Sequence, residues 1–234
     1  MGRRWRSWCL SLDLESLLAA VVADDRARVR SLLQRDPGLA TCPVGEARLY
    51  ESGIFHWLYV GDTAMHLAAA GHRVEIVRLL LAAGADPNAT GNHRRSGPLH
   101  YAADGYATGA DWEPERQVWT IRCLLDAGAQ VDAQDKNGAT PLHRAVRTRC
   151  ASAVVCLLAA GADPKIGNKS GSTPFHLAVQ STGRGGTGER IAKEGQRQII
   201  EAFLAKGVSA QLKDAKGKSV LDCAESAWIQ EMLA

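Results

Sequence analysis

The stretch Thr140-Pro-Leu-His143 decides the fold, because this four-residue phrase returns four more times along the chain. The other copies are Thr63-Ala-Met-His66, Gly97-Pro-Leu-His100, Thr173-Pro-Phe-His176 and the more divergent Ser219-Val-Leu-Asp222. Their starting positions define a period of about 33 residues, lengthened by roughly 10 residues after the second copy and 13 after the fourth. A period of this length predicts a stacked solenoid, in which each unit buries its apolar face on its neighbours.

Four of the units also share a second feature, an apolar segment that ends in glycine. The four endings read Leu81-Ala-Ala-Gly84, Leu125-Asp-Ala-Gly128, Leu158-Ala-Ala-Gly161 and Leu204-Ala-Lys-Gly207. Glycine accepts the left-handed backbone conformation in which many helices end. Before it, apolar residues such as Val154, Leu157 and Leu158 recur at spacings of three and four. This spacing predicts one apolar helix face in each unit.

With phrase, helix and glycine in register, the chain resembles the ankyrin-repeat family from about Asp13 to Ala234. The resemblance implies an all-α solenoid of antiparallel helix pairs, joined by β-hairpin or loop fingers. It also implies that the threonine opens the first helix of each unit and that the histidine hydrogen-bonds within and between units. A threonine hydroxyl is a good helix cap, so we expect weaker caps where Gly97 lacks a hydroxyl and Asp222 replaces the histidine.

The same alignment divides the chain into repeats. We predict an N-terminal extension (1–12), an N-terminal capping repeat (13–45), an aromatic-rich connecting finger (46–57), ankyrin repeats 1 to 4 (58–91, 92–134, 135–167 and 168–213) and a C-terminal capping repeat (214–234). Repeats 2 and 4 carry insertions, at 106–117 and 181–194, which extend the same edge of the stack and could flank one binding site. For the Gly-rich second insertion, we prefer a flexible connector to a phosphate-binding loop. The terminal units diverge because one face of each must meet water.

Composition narrows the class of protein without identifying a partner. The net charge of +3 is too small to indicate a nucleic-acid-binding protein by itself. The six cysteines contain no CxxC pair, which favours a reducing, cytoplasmic location. Asp13 and Glu15 follow the basic start before an apolar segment forms, so we expect no export signal. We also expect no membrane segment and a chain that is monomeric by itself.

Two groups of residues are candidates for a partner-binding surface. The connecting finger contains aromatic side chains, which are enriched at protein interfaces but also cover hydrophobic cores. The finger tips and first helices contain basic side chains, which would favour an acidic partner, although exposed lysine is also ordinary on a solvated surface. The candidates are Phe55, Trp57, Tyr59, His93, Arg94, Arg95, Trp112, Lys136, Arg144, Arg147 and Lys169.

The sequence contains no catalytic or metal-ligand motif, and the repeat phrase accounts for four of the seven histidines. We therefore predict no enzymatic activity and no cofactor. The prediction is a non-catalytic module that binds another protein, one with an acidic surface, on the concave face of the repeat stack. The alternative is a binder of nucleic acid or another polyanion along the basic finger tips, whose affinity would fall steeply with salt.

Overall fold

The structure is a computed structural model that describes residues 12–51, 53–105, 113–180 and 190–234, with backbone alone at 190 and 191. Its helices are α1 (Leu12–Val22), α2 (Arg26–Arg35), α3 (Ala64–Ala70), α4 (Val74–Ala82), α5 (Pro98–Ala103), α6 (Pro114–Asp126), α7 (Pro141–Arg147), α8 (Ala151–Ala159), α9 (Pro174–Ala178), α10 (Arg190–Ala205) and α11 (Ala227–Leu233). Short 3-10 turns cover Pro37–Ala40 and Leu221–Cys223. The strands β1 (Arg48–Tyr50) and β2 (His56–Leu58) form one antiparallel hairpin. The predicted all-α repeat solenoid is confirmed.

The helices are arranged in two layers that follow the repeats. The phrase helices α3, α5, α7 and α9 pack on one another in chain order, and α1 packs on α3. The second helices α4, α6, α8 and α10 form the other layer and pack back onto the phrase helices. Ile121, Leu124 and Leu157 from this layer are fully buried. The core is therefore a continuous seam between the layers, as expected when each unit stabilises the next.

The phrase histidines connect each repeat to the following finger. In His100, Nδ1 accepts the backbone N–H of Gly97 at 3.2 Å, and Nε2 lies 3.0 Å from the carbonyl oxygen of Ala139. His143 makes the same pair of contacts with the Thr140 N–H and the Ser172 carbonyl, each at 3.1 Å. A carbonyl can only accept, so Nε2 carries the proton and the ring is neutral. Hydrogen bonding by the histidine within and between units is confirmed.

The divergent phrases keep the hydrogen bond from the backbone N–H of their first residue to the side chain of their fourth. The helix caps expected to be weaker at Gly97 and Asp222 therefore retain this part of their hydrogen bonding. Gly97 lacks a hydroxyl, but its backbone N–H still binds the His100 ring. In the last copy the carboxylate of Asp222 replaces the ring and accepts the N–H of Ser219 at 2.8 Å. The hydroxyl of Thr140 caps its helix by accepting the His143 N–H at 3.4 Å, whereas those of Thr63 and Thr173 contact the ring Nδ1 of their own histidines at 3.1 and 2.8 Å.

Four finger tips share one turn geometry. Each begins with Asn or Asp, whose side-chain oxygen accepts the N–H groups two and four residues later, as Asp135 does from Asn137 and Ala139. The four starting residues are Asn92, Asp135, Asn168 and Asp214. The third residue after each start has a positive φ. Neighbouring tips are bonded to each other, for example through Lys136 N–H and the Arg94 carbonyl at 2.7 Å.

Membrane insertion by a helix finds no support in this fold. In the described part of the chain, every helix is too short or too polar to cross a bilayer.

Candidate functional site

The β1–β2 hairpin exposes part of its aromatic set and buries the rest. Leu49 pairs with Trp57 across the hairpin, so their side chains lie on one face, where 42% and 46% of their surfaces are exposed. Phe55 is 71% exposed. Tyr59 is half-buried and packs against the core, and Leu58 beside it is buried. The aromatic and apolar side chains that cover the core are therefore different from those left exposed as candidates for partner binding.

Tyr59 joins the hairpin to the second finger. Its ring lies 6.3 Å from the Trp57 ring and 5.2 Å from the His93 ring, centroid to centroid. Arg94 donates from Nη1 to the Tyr59 hydroxyl at 2.8 Å and places its guanidinium carbon 5.0 Å from the ring centroid. These distances allow aromatic and cation–π attraction. The aromatic and basic groups, inferred separately from the sequence, thus meet. We call Trp57, Tyr59, His93, Arg94 and Arg95 the hairpin–finger surface.

A buried carboxylate, Asp62, holds this surface in place. One of its oxygens accepts the backbone N–H of Tyr59 at 2.7 Å and the hydroxyl of Tyr101 at 2.6 Å. The other accepts from the side-chain amide of Asn92 at 2.7 Å. Burial, reinforced by Asp62, raises the pKa of the Tyr101 hydroxyl, which therefore stays a donor. Asp62 was not among the residues predicted from the sequence, where its only signal is its position directly before a repeat phrase.

Arg144 does not belong to an exposed basic strip, because its side chain is buried. Nη1 lies 3.0 Å from the carboxylate of Asp104, and Nη2 lies 2.8 Å from that of Asp135. Burial alone would lower the pKa of Arg144, but the two carboxylates reverse this effect and leave it raised. Burial would likewise raise the pKa of Asp104, but His56, Arg144 and Arg147 hold it well below its usual range. Arg144 is therefore neutralised within the protein, which corrects its assignment as a partner-binding residue.

The other basic side chains also differ in whether they are exposed or buried. Arg147 is about half exposed, and its Nη2 lies 3.6 Å from Asp104. Lys136 and Lys169 are exposed at finger tips. Arg149, part of the same basic stretch of sequence, is buried and donates to the carbonyl oxygens of Ala178 and Gln180 at 3.1 and 2.7 Å.

The positive charges of the hairpin–finger surface are not paired with carboxylates as that of Arg144 is. Within the described ranges, no carboxylate forms an ion pair with Arg94 or Arg95, or with Lys136 or Lys169 on the neighbouring finger tips. Trp112 and most of both insertions lie outside the described residues. The described side chains also contain no cluster of three His, Cys, Asp or Glu residues that could hold a metal ion. The surface therefore offers aromatic rings and uncompensated guanidinium groups.

Comparisons with known proteins agree with this architecture. The family model described as "Ankyrin repeat" matches residues 60–92, and the model "Ankyrin repeats (many copies)" matches residues 124–178. With its stacked helix pairs, the fold is that of a repeat protein. The chain contains ankyrin repeats, a type of repeat that generally mediates protein–protein interaction.

Three curated relatives are similar over part of the chain. Ankyrin repeat and SOCS box protein 6 from Mus musculus is 39% identical over 84 residues, 36% of this chain and 18% of its own length. NF-kappa-B inhibitor delta from Mus musculus is 40% identical over 88 residues, 37% of this chain and 24% of its own length. B-cell lymphoma 3 protein from Homo sapiens is 33% identical over 97 residues, 40% of this chain and 19% of its own length. The matches thus span at most a quarter of these relatives.

Proposed function

We propose that this protein is a non-catalytic module that binds another protein through its fingers and phrase helices, with the hairpin–finger surface at the centre of contact. The observation that supports it most directly is the meeting of exposed Trp57 with Arg94 on the Tyr59 ring. Tryptophan, tyrosine and arginine are the residues enriched at the centres of protein interfaces. Hydrogen bonds to the buried Asp62 carboxylate hold the backbone of Tyr59 and the side chain of Asn92, at the start of the second finger, which reduces the entropy that this part of the surface loses on binding.

Similar proteins are compatible with this proposal. One relative is named as an inhibitor of NF-kappa-B, a role defined by its target and not by a reaction. The compartment and the monomeric state stay predictions.

The proposal is tested by affinity capture from a cell extract at low and high salt. We compare the wild-type chain with the double variants Phe55→Ala/Trp57→Ala and Arg94→Ala/Arg95→Ala. Trp119→Ala is the matched control, because Trp119 is also an exposed aromatic residue, 52% accessible, but lies in the second-helix layer on α6. We expect a discrete protein that wild type and Trp119→Ala retain and both double variants lose. Retention by all four chains would contradict the proposed surface.

The alternative of polyanion binding has its own signature in the same experiment. Nucleic acid would be captured at low salt, released at high salt, and lost with the arginine variant alone, because phosphate contacts dominate such affinity. A protein interface centred on aromatic residues is much less sensitive to salt.

A further inference from the structure

The second finger differs from the other three at one backbone position. The third residue after the starting Asn or Asp has a φ of 71° in Gly138, 86° in Gly171 and 79° in Gly217. In the second finger this residue is Arg95, with a φ of 52°. Left-handed backbone is unfavourable for a residue that has a Cβ, and glycine is the ordinary choice. Three of the four tips follow that choice, and the second finger does not.

No contact of the Arg95 side chain with another described residue explains why an arginine has this positive φ. Three other non-glycine residues of the described ranges have a positive φ, and each uses its side chain internally. His72 contacts the carbonyl oxygen of Ala102 at 3.1 Å, Arg149 donates to two carbonyls, and Asp24 pairs with Arg26 at 3.2 Å. The backbone N–H of Arg95 donates to the Asn92 carbonyl oxygen at 3.0 Å, but its exposed side chain forms no hydrogen bond or ion pair with another described residue. Unfavourable backbone retained without an internal contact points to an external one.

The surroundings of Arg95 indicate the chemistry of that contact. Arg94, the preceding residue, is held against Tyr59 with its charge uncompensated by any described carboxylate. Exposed Trp57 lies beside Tyr59, and Leu49 shares the exposed face of the hairpin with Trp57. Guanidinium groups bind carboxylates through paired hydrogen bonds, and exposed apolar side chains favour an apolar contact. The surface therefore complements a chain that carries both acidic and apolar residues.

We propose that Arg95, together with Arg94 and Trp57, forms a binding site for an acidic segment of the partner protein in which carboxylates flank an apolar side chain. This inference rests on the proposed function and gives the partner's chemical class. A peptide fits better than a nucleic acid, because the net charge is only +3 and Arg144, the most buried basic candidate, is already neutralised by carboxylates. The role of Arg95 is recognition, so its removal should weaken binding without weakening the fold.

The test uses the full chain and three labelled probes in fluorescence anisotropy titrations. The probes are a short Glu/Leu peptide, a Glu/Gly peptide of the same charge and length, and an oligothymidine of similar charge. Wild type should prefer the Glu/Leu peptide. Arg95→Gly should weaken that binding by about tenfold, the loss expected for one charge-assisted hydrogen bond. Its urea denaturation midpoint should be unchanged or higher, because glycine suits the turn.

The reciprocal variant, Gly217→Arg, is the matched control. A Cβ at Gly217 would meet no atom within 4 Å, so this substitution tests the backbone conformation without a clash. It should lower the denaturation midpoint and leave peptide affinity unchanged. Trp57→Ala should reduce the preference for Glu/Leu over Glu/Gly, because only the first peptide offers an apolar contact.

Any of four results would overturn the inference. Equal peptide affinity in Arg95→Gly would show that Arg95 takes no part in recognition. A lower denaturation midpoint in the same variant would assign Arg95 a structural role. Tighter binding of oligothymidine than of either peptide, with a steep loss in salt, would assign the surface to a polyanion. If the peptides fail while captured protein is still lost with Phe55→Ala/Trp57→Ala, this inference fails and the proposed function stands.

Discussion

Three phrase histidines, His66, His100 and His143, each make two hydrogen bonds that require a neutral ring. In His100 the unprotonated Nδ1 accepts from Gly97 and the protonated Nε2 faces the Ala139 carbonyl. A second proton on Nδ1 would point at the N–H donor of Gly97 and break that bond. Burial lowers the pKa of His100 to about 4 and also lowers the pKa values of His66 and His143. The repeat phrase therefore builds a shared sensitivity to acid into the stack.

We expect the free energy of unfolding to fall as the pH drops from about 6.5 toward about 4, because unfolded histidine titrates near 6.5 and binds protons that the buried ring cannot. By about pH 5, His100 alone should account for a loss on the order of 2 kcal/mol. Urea denaturation at about pH 7.5 and pH 5 measures this loss. His100→Gln, which cannot titrate, should show a shallower dependence, and a constant free energy across this range would contradict the assignment.

At this scale, the sequence predicts local contacts better than distant ones. The role of His143 follows from a phrase only four residues long. The role of Arg144, the next residue, depends on Asp104 and Asp135, which lie 40 and 9 residues away and converge only after repeats 2 and 3 have stacked. A basic residue on a first helix therefore looked like surface charge. Asp62 was missed for the same reason, since Asn92 and Tyr101 reach it from the next repeat.

At the scale of single elements, the second helices follow their apolar pattern closely. In α8, Leu157 is fully buried, while Val155, two positions earlier, is 52% exposed. Successive residues of a helix lie about 100° apart, so these two side chains point to nearly opposite sides. The spacing of Val154, Leu157 and Leu158 predicted the buried face from the sequence alone.

Leu157→Ala should lower the free energy of unfolding by about 2–5 kcal/mol, because it leaves a cavity between the layers. Val155→Ala on the same helix is the matched control and should change it by less than about 0.5 kcal/mol. Chemical denaturation of both variants gives the comparison. A loss below about 1 kcal/mol for Leu157→Ala would place that side chain outside the tightly packed seam.

The sequence of the hairpin does not determine which of its aromatic side chains face outward. A β-hairpin or loop was expected for the connecting finger, and β1 and β2 form a hairpin there. Which aromatic residues face outward depends on register, because neighbouring residues of a strand point to opposite faces. The pairing of Leu49 with Trp57 exposes those two, whereas Leu58 faces the core. β2 packs on α3, and this long-range contact favours that register in a way the hairpin sequence alone does not reveal.

For the molecule as a whole, the buried residues that stabilise the fold are distributed along the described part of the stack. At the C-terminal end, Phe175 of α9 and Phe203 of α10 stack with ring centroids 4.7 Å apart, and both are fully buried. At the other end, Leu17, Leu18 and Val21 of α1 form a separate part of the seam. In a repeat stack, a defect acts first on its own unit and its neighbours.

Phe203→Ala should destabilise the protein by about 3–5 kcal/mol. In native-state hydrogen exchange, the loss of protection should be largest in α9, α10 and α11, while α1 and α3 retain most of theirs. Trp119→Ala, which removes an exposed aromatic side chain, should leave both the stability and the hydrogen-exchange protection unchanged. An equal loss of protection at both ends would mean that the whole stack unfolds as one cooperative unit.

The bonds between neighbouring finger tips fix how far apart their side chains stand. Arg94 is bonded to Lys136, Asn137 to Lys169, and Gly171 to Ala215, each through one backbone hydrogen bond. A hydrogen-bonded tip is therefore less free to shift on its own. Under the proposed function, the spacing of matching groups along the partner then matters for selectivity as well as their number. We expect a partner with the right composition but the wrong interval between its groups to contact fewer tips.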